Sequence, residues 1–159
     1  MSLTLDVINR TPYHIDLLED CSTGLCLFGA GFYGAHDSIH MLDAGIKNVH
    51  VVDIDLEKLK VMESIYPKKW MFTDADVFEW IQNAKDMGLY WDVVSIDPPT
   101  ALLDKCAGML DLFMPLAEKY IMLTTWEECL YDLKQKYDVI NTVGRSRAVR
   151  SVVAAIRAA

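Results

Sequence analysis

The sequence predicts an α/β protein in which helices cover both faces of a mostly parallel sheet of seven strands that ends in an antiparallel hairpin. Three observations point to this three-layer α/β/α sandwich. Short apolar runs rich in β-branched residues recur along the chain, helix-length segments separate the earlier runs, and the last two runs follow one another directly. Alternating strands and helices are typical of a parallel sheet, whereas two consecutive strands joined by a short turn are typical of a hairpin.

The elements follow from these patterns in chain order. Asp76 is placed to cap a helix that begins at Val77, and Pro98-Pro99 must end the fourth strand. A short N-terminal helix is predicted around Ile15, Leu17 and Leu18. The helices are predicted at 33–44, 56–65, 77–87, 101–117 and near 126–136. The strands are predicted at Leu25–Phe28, Val49–Val52, Trp70–Thr73, Val93–Ile96, Tyr120–Leu123, Val139–Val143 and Val149–Ile156, with the hairpin turn at Gly144-Arg145-Ser146.

Length and composition predict one domain that spans residues 1–159. The chain is 52% apolar and 24% charged, which is typical of globular proteins. No segment approaches the ~20 consecutive apolar residues of a membrane helix, and the N-terminus lacks the pattern of a secretory signal, so we expect a cytoplasmic protein without membrane contact. The cysteines form no CxxC pair, which predicts free thiols and no metal site.

The charge is unevenly distributed. The net charge is −8, yet residues 134–159 carry six basic side chains against Asp138 alone. An acidic body disfavours non-specific attraction to phosphate backbones. Arg145, Arg147 and Arg150 are expected to be solvated hairpin charges, with phosphate binding as the alternative.

A glycine-rich loop follows the first predicted strand. Gly29-Ala30-Gly31-Phe32-Tyr33-Gly34 has the spacing GxGxxG and precedes a predicted helix. Glycines allow a sharp turn and close approach to a ligand, while the helix N-terminus attracts polar or anionic groups. Asp53 lies nineteen residues after Gly34, at the end of the second strand, where a carboxylate can accept hydrogen bonds from ribose hydroxyls. The pair indicates an adenosine-containing cofactor in a Rossmann-like crevice.

Further acidic residues follow the third and fourth strands. Asp74 and Asp76 come after the third strand, and Asp97 ends the fourth. Ligands of open α/β sheets bind at the carboxyl ends of the strands, so these carboxylates are expected to meet Asp53 around one crevice.

Taken with the glycine loop, this order resembles class I S-adenosylmethionine-dependent methyltransferases over roughly residues 24–156. The resemblance implies S-adenosylmethionine as the cofactor, with the loop against its methionine part and Asp53 on its ribose. It also implies that Asp76, with Asp74 as the alternative, faces the adenine amino group and that Val77 contacts the ring. The residues implied in cofactor binding are Phe28, Gly29, Ala30, Gly31, Asp53, Ile54, Asp74, Asp76, Val77 and Asp97.

The segment Asp97-Pro98-Pro99-Thr100 is similar to the D/N-P-P-aromatic motif of methyltransferases that act on nitrogen atoms of planar groups. The resemblance implies Asp97, Pro98 and Pro99 as catalytic residues. The Asp97 carboxylate and the Pro98 carbonyl can accept hydrogen bonds from an amino group and so orient its lone pair toward the methyl group.

The leading hypothesis is therefore methyl transfer to a nitrogen of a planar acceptor, with a nucleobase of RNA or DNA as the first candidate. A small molecule or a protein side chain is an alternative acceptor. A nicotinamide-binding redox or regulatory domain is a second hypothesis, against which Asp97-Pro98-Pro99 argues. A non-catalytic cofactor-binding subunit of a larger complex is a third. The expected partners are RNA, DNA or a small molecule as substrate, and a partner subunit or a second copy of the chain.

Overall fold

A computed structural model describes residues 13–30, 35–65, 67, 69–146 and 150–158 of the chain. Its seven-stranded sheet has the order β3-β2-β1-β4-β5-β7-β6. Strands β1 to β5 run parallel, and β7 lies antiparallel between β5 and β6. The strands are β1 (Thr23–Leu27), β2 (Asn48–Asp53), β3 (Trp70–Asp74), β4 (Trp91–Ile96), β5 (Ala117–Trp126), β6 (Val139–Ser146) and β7 (Ser151–Arg157).

Helices pack on both faces of this sheet. Short 3-10 segments, among them Ile15–Asp20 and Thr100–Leu102, join the regular elements. The α-helices are α1 (Ala35–Asp43), α2 (Leu56–Ile65), α3 (Val77–Asp86), α4 (Leu103–Gly108), α5 (Leu110–Phe113) and α6 (Leu130–Lys136).

Two apolar clusters form the core, one on each face of the sheet. Ile39 of α1 and Leu59 of α2 pack on one face, while Ile81 of α3 and Phe113 of α5 pack on the other. Successive residues of a strand point to opposite faces, so a strand buried on both sides reads as an unbroken apolar run. This is why the strands are visible in the sequence, and the three-layer α/β/α prediction with an antiparallel C-terminal hairpin is confirmed.

The structure differs from the prediction in three places. The helix predicted at 101–117 is broken into α4, α5 and two 3-10 segments, because Gly108 and Pro115 lie inside it. Strand β5 is ten residues long and much longer than Tyr120–Leu123. Strand β6 continues through Gly144-Arg145-Ser146, so the hairpin turn does not lie there, and the residues that follow, 147–149, lie outside the described part of the chain.

Candidate active site at the carboxyl edge of the sheet

A cavity of about 600 Å³ opens at the carboxyl ends of the parallel strands. Strand β1 lies between β2 and β4, so the strand order reverses at this point, and such a reversal opens a crevice at the sheet edge. The cavity is lined by Phe28, Asp53, Ile54, Asp55, Lys58, Asp76, Val77, Phe78, Asp97, Pro98, Pro99, Thr100 and Leu102. The sheet thus brings together residues that the sequence places at or after the ends of four different strands, β1 to β4.

The start of the glycine loop is shaped by its contact with the sheet. Phe28 has a φ of 59°, a conformation that non-glycine residues rarely adopt, and its N–H donates to the carbonyl of Val52 at 2.9 Å. A Cβ atom added at Gly29 would lie 2.8 Å from Cγ1 of Val51, so only glycine fits there. Gly29 and Ala30 therefore hold the loop against β2 and are not among the residues that line the cavity. Gly31 lies outside the described residues.

Asp53 connects this loop to the end of β2. Its carboxylate accepts a hydrogen bond from the N–H of Ala30 at 3.0 Å and another from the N–H of Asp55 at 2.9 Å. A carboxylate offers about four acceptor positions, so about two remain for a ligand in the cavity. Ile54, which follows, is 72% exposed and also borders the cavity.

Asp76 and Val77 begin helix α3 at the cavity wall. The Asp76 side chain accepts a hydrogen bond from the N–H of Glu79 at 3.1 Å and so caps the helix, as the sequence predicts. Val77 is buried. Asp74 pairs with Asp53 in the β2–β3 register, but it is exposed and does not line the cavity.

Asp97 leaves β4 at the floor of the cavity. Its N–H donates to the carbonyl of Leu27 at 3.2 Å, and its side chain is 19% exposed. Burial and the negative charge of Asp37 raise the pKa of the Asp97 carboxyl group to about 6, although the Arg145 cation and the nearby Thr124 hydroxyl oppose this rise. Asp97 is therefore mostly ionised near neutral pH and becomes protonated under mildly acidic conditions.

Two charged residues near Asp97 were not predicted as part of the site. The Arg145 guanidinium forms an ion pair with Asp37 and lies 3.5 Å from the carboxylate of Asp97. The side chains of Arg145 and Asp37 are 10% and 2% exposed. The prediction that Arg145 is a solvated hairpin charge is wrong, because β6 carries it to the buried side of the cavity floor. Asp37 precedes the apolar Met41 by four residues, so the two side chains lie on the same face of the helix. This spacing is the feature of the sequence that indicates the inward position of Asp37.

The N-terminal segment packs into the core beside α1. The rings of Tyr13 and His40 stack with their centroids 5.5 Å apart, and Nε2 of His14 lies 2.8 Å from the carbonyl oxygen of Val153. Among the residues that the structure describes, no group of three His, Cys, Asp or Glu side chains is arranged to hold a metal ion. In the same part of the chain, no helix has the length and apolar character needed to cross a bilayer.

Comparison with known proteins gives relatives of low sequence identity. No family model matches the chain. It is 26% identical over 140 residues to the ribosomal RNA large subunit methyltransferase I of Aliivibrio fischeri, and this match covers 72% of the chain but only 34% of the relative. The chain therefore spans about a third of the length of this curated relative.

Solved structures share the fold at still lower identity. A SAM-dependent methyltransferase from Agrobacterium tumefaciens superposes with a TM-score of 0.67 at 17% identity, covering 92% of this chain and 61% of the other. TrmN from Thermus thermophilus gives 0.63 at 15% identity, covering 91% and 47%. The 16S rRNA methylase RmtB gives 0.62 at 13% identity, covering 98% and 62%. The strand order, the crevice at its reversal point and these superpositions agree that the chain has the fold of class I S-adenosylmethionine-dependent methyltransferases.

Proposed function

We propose that the chain binds S-adenosylmethionine in the cavity at the carboxyl edge and transfers its methyl group to a nitrogen of a planar acceptor. The observation that carries the proposal is that one cavity of about 600 Å³ is lined by Asp53, by Asp76 with Val77, and by Asp97-Pro98-Pro99. Its volume lies within the range of small-molecule sites, about 300–1,000 Å³.

The lining residues suit the parts of this cofactor. Asp53 has acceptor positions left for the two ribose hydroxyls. Asp76, at the exposed N-terminus of α3, is placed to accept from the adenine amino group, while Val77 and Ile54 offer apolar contact to the ring. Phe28 and the loop residues Gly29, Ala30 and Gly31 are proposed to lie along the methionine part.

Bound S-adenosylmethionine supplies an activated methyl group, so the chain has to orient the acceptor and exclude water. The ionised Asp97 carboxylate accepts a hydrogen bond from the acceptor N–H and directs the nitrogen lone pair into the cavity. The Pro98 carbonyl offers a second acceptor. Pro99 fixes the exit of the chain from β4, with φ −60° and ψ 156°, and so keeps both groups in place.

A nucleobase of RNA is the first candidate acceptor. The curated relative is named a ribosomal RNA methyltransferase, and one of the three structural neighbours above, RmtB, is named a 16S rRNA methylase. Asp97-Pro98-Pro99 fits recognition of an amino or ring nitrogen. Thr100 stands where the motif has an aromatic residue that would stack on the base. A stacking surface for the base therefore has to come from another residue, such as Phe78 in the cavity wall. A small molecule or protein side chain is the alternative acceptor.

The test is calorimetric titration of the purified chain with S-adenosylhomocysteine and, separately, with nicotinamide adenine dinucleotide. We expect binding of the first ligand only, weakened about tenfold or more in Asp53→Ala because the ribose hydroxyls lose a charged acceptor. Asp86→Asn, an exposed acid at the end of α3, is the matched control and should bind normally. Binding of the dinucleotide alone would instead support the redox alternative.

Transfer is tested by incorporation of labelled methyl groups into RNA, DNA or a metabolite pool. We expect incorporation by the wild type and a loss of about 100-fold or more in Asp97→Ala. Binding without transfer to any of these acceptors would support a non-catalytic subunit that needs a partner, and would contradict the proposed activity of the chain alone.

A further inference from the structure

Three charged side chains meet under the floor of the cavity, and we call Asp37, Arg145 and Asp97 the charge cluster. Asp37 comes from α1, Asp97 from the end of β4 and Arg145 from β6. The Arg145 guanidinium forms an ion pair with Asp37 and lies 3.5 Å from the carboxylate of Asp97, so two carboxylates share one cation. Only Asp97 among the three lines the cavity.

The topology of the sheet places Arg145 next to Asp37 and Asp97. Strand β7 runs antiparallel to both β5 and β6, so β6 runs in the direction of the parallel strands and its end lies at the carboxyl edge. The β6–β7 register shifts between Gly144 and Ser146, at Arg145 itself. Such bulges redirect a side chain and occur next to active sites.

The surroundings of the charge cluster are polar. The titratable groups packed near it in the core are Tyr13, Cys26 and the buried His40, whose ring stacks on that of Tyr13. The hydroxyl group of Ser95, on β4, donates a hydrogen bond to the Asp37 carboxylate. Burial and the charge of Asp37 raise the pKa of both Tyr13 and Cys26, so these groups stay neutral. On the cavity side, the charged groups that share the wall with Asp97 are Asp53, Asp55, Lys58 and Asp76.

We propose that Asp37 and Arg145 are positioning residues that act through Asp97: Arg145 holds the Asp97 carboxyl group at the cavity floor, and the opposing charges of Arg145 and Asp37 set whether it accepts or donates a hydrogen bond. This inference rests on the proposed function only in assigning the acceptor contact to Asp97. The coupling of the three charges stands on their geometry alone.

The physical argument is one of charge balance in a buried site. Burial raises the pKa of Asp97, and in a lone Arg145–Asp97 pair the adjacent cation would oppose this rise, because a cation favours the carboxylate. Asp37 binds the same guanidinium and adds a second negative charge, so the charge cluster carries a net negative charge when both acids are ionised. Burial opposes the charged form of Arg145, but the two carboxylates outweigh it and raise the pKa of Arg145 further, so the arginine stays a cation. The proton that relieves the excess charge therefore goes to an acid, and Asp97 takes it.

The coupling is tested by carbon-13 NMR titration of the Asp97 carboxyl group in three proteins. Asp37→Asn leaves one cation for one carboxylate, so we expect the pKa of Asp97 to fall by about one unit or more from its value near 6. Adding Arg145→Gln to this variant removes the cation, so we expect the pKa to rise again by a comparable amount. The double variant buries no unpaired charge at Asp37 or Arg145, so it remains measurable where Arg145→Gln alone does not fold.

The control removes a carboxylate from an exposed ion pair. Asp111→Asn breaks the Lys136–Asp111 pair on the surface and should leave the Asp97 titration where it is. An Asp97 pKa that moves by less than about 0.3 units in Asp37→Asn would overturn the proposed coupling.

The positioning role is tested by the pH profile of methyl transfer. We expect kcat/KM to fall on the acid side with the titration of Asp97, and this limb to move to lower pH in Asp37→Asn by the same shift that NMR records. If the pKa of Asp97 shifts in Asp37→Asn while the acid limb of the kcat/KM profile does not, the positioning role is overturned. Absence of S-adenosylhomocysteine binding would overturn the proposed function, and the NMR titration would still decide the coupling.

Discussion

Gly29 is a residue whose side chain is excluded by the packing of the loop. A Cβ there would lie 2.8 Å from Cγ1 of Val51 and 3.1 Å from the carbonyl oxygen of Cys26, and both atoms belong to strands of the sheet. We expect Gly29→Ala to lower the free energy of unfolding by about 1–3 kcal/mol in urea denaturation. Gly108→Ala is the matched control, because nothing lies within 4 Å of its added Cβ. Equal effects of the two substitutions would contradict the close approach of the loop.

Asp97 makes the stability of the protein depend on pH in a defined direction. Its pKa is raised from 3.8 to about 6 in the folded protein, so between these values the folded state holds a proton that the unfolded state has released. Binding of this proton stabilises the folded state relative to the unfolded state. The stabilisation is fully present below about pH 4 and is lost as the pH rises through about 6. We expect the stability of the wild type relative to Asp97→Asn to fall by up to about 3 kcal/mol between about pH 4 and 7.

The measurement is urea denaturation of both proteins across this range. Their difference isolates Asp97, because the other titrating groups are common to both. A difference that does not change with pH would mean that Asp97 has an ordinary pKa.

Helix α3 joins two functions in one residue at its N-terminus. Asp76 caps the helix and lines the cavity. Asp76→Ala loses the cap and should cost about 1 kcal/mol of stability, whereas Asp76→Ser keeps a capping hydroxyl and should cost little. Both substitutions should weaken S-adenosylhomocysteine binding about tenfold in calorimetry if Asp76 faces the adenine amino group. If Asp74→Asn weakens binding and Asp76→Ser does not, the assignment moves to Asp74.

The elements were predictable to the extent that burial leaves a periodic or continuous apolar pattern. The inner strands were found because they are buried, and the edge strands β3 and β6, which are only partly buried, because they still carry apolar and β-branched residues. The cap at Asp76 was found because capping is local chemistry. The helix at 101–117 was predicted as one piece because its apolar content hid the breaks at Gly108 and Pro115. The end of β6 was missed because Gly144 resembles a turn residue, whereas the bulge accommodates it within the strand.

The candidate site was predictable only in part. The positions of some of its residues follow from the strand order, whereas those of others follow from contacts between residues far apart in the sequence. Phe28, Asp53, Ile54, Asp76, Val77 and Asp97-Pro98-Pro99 line the cavity, since strand ends of a parallel sheet meet at one edge. The charge cluster was missed because Asp37 and Arg145 are 108 residues apart, and no local pattern pairs them. The sequence shows residues 134–159 as a basic segment but not the partners of its side chains, and in the structure Lys136, Arg145 and Arg157 each form an ion pair.

At the scale of the whole molecule, the cavity is built from both halves of the sheet. Asp53 and Asp76 come from the side of β2 and β3, and Asp97 comes from β4. The predicted single domain should therefore unfold in one cooperative step, and S-adenosylhomocysteine should raise the midpoint of the whole transition by several degrees. Calorimetric and van't Hoff enthalpies measured with and without the ligand check this. Two transitions, only one of which responds to the ligand, would contradict a single domain.

The position of Arg145 late in the chain has a consequence for biosynthesis. Asp37 and Asp97 leave the ribosome well before Arg145, the cation that they share, so a nascent chain that has completed β1 to β4 lacks the only cation of the charge cluster. Two carboxylates cannot be buried together without cost while that cation is absent. We therefore expect the floor of the cavity to stay hydrated until β6 brings Arg145 into place, so that the last two strands complete the charge cluster together with the sheet.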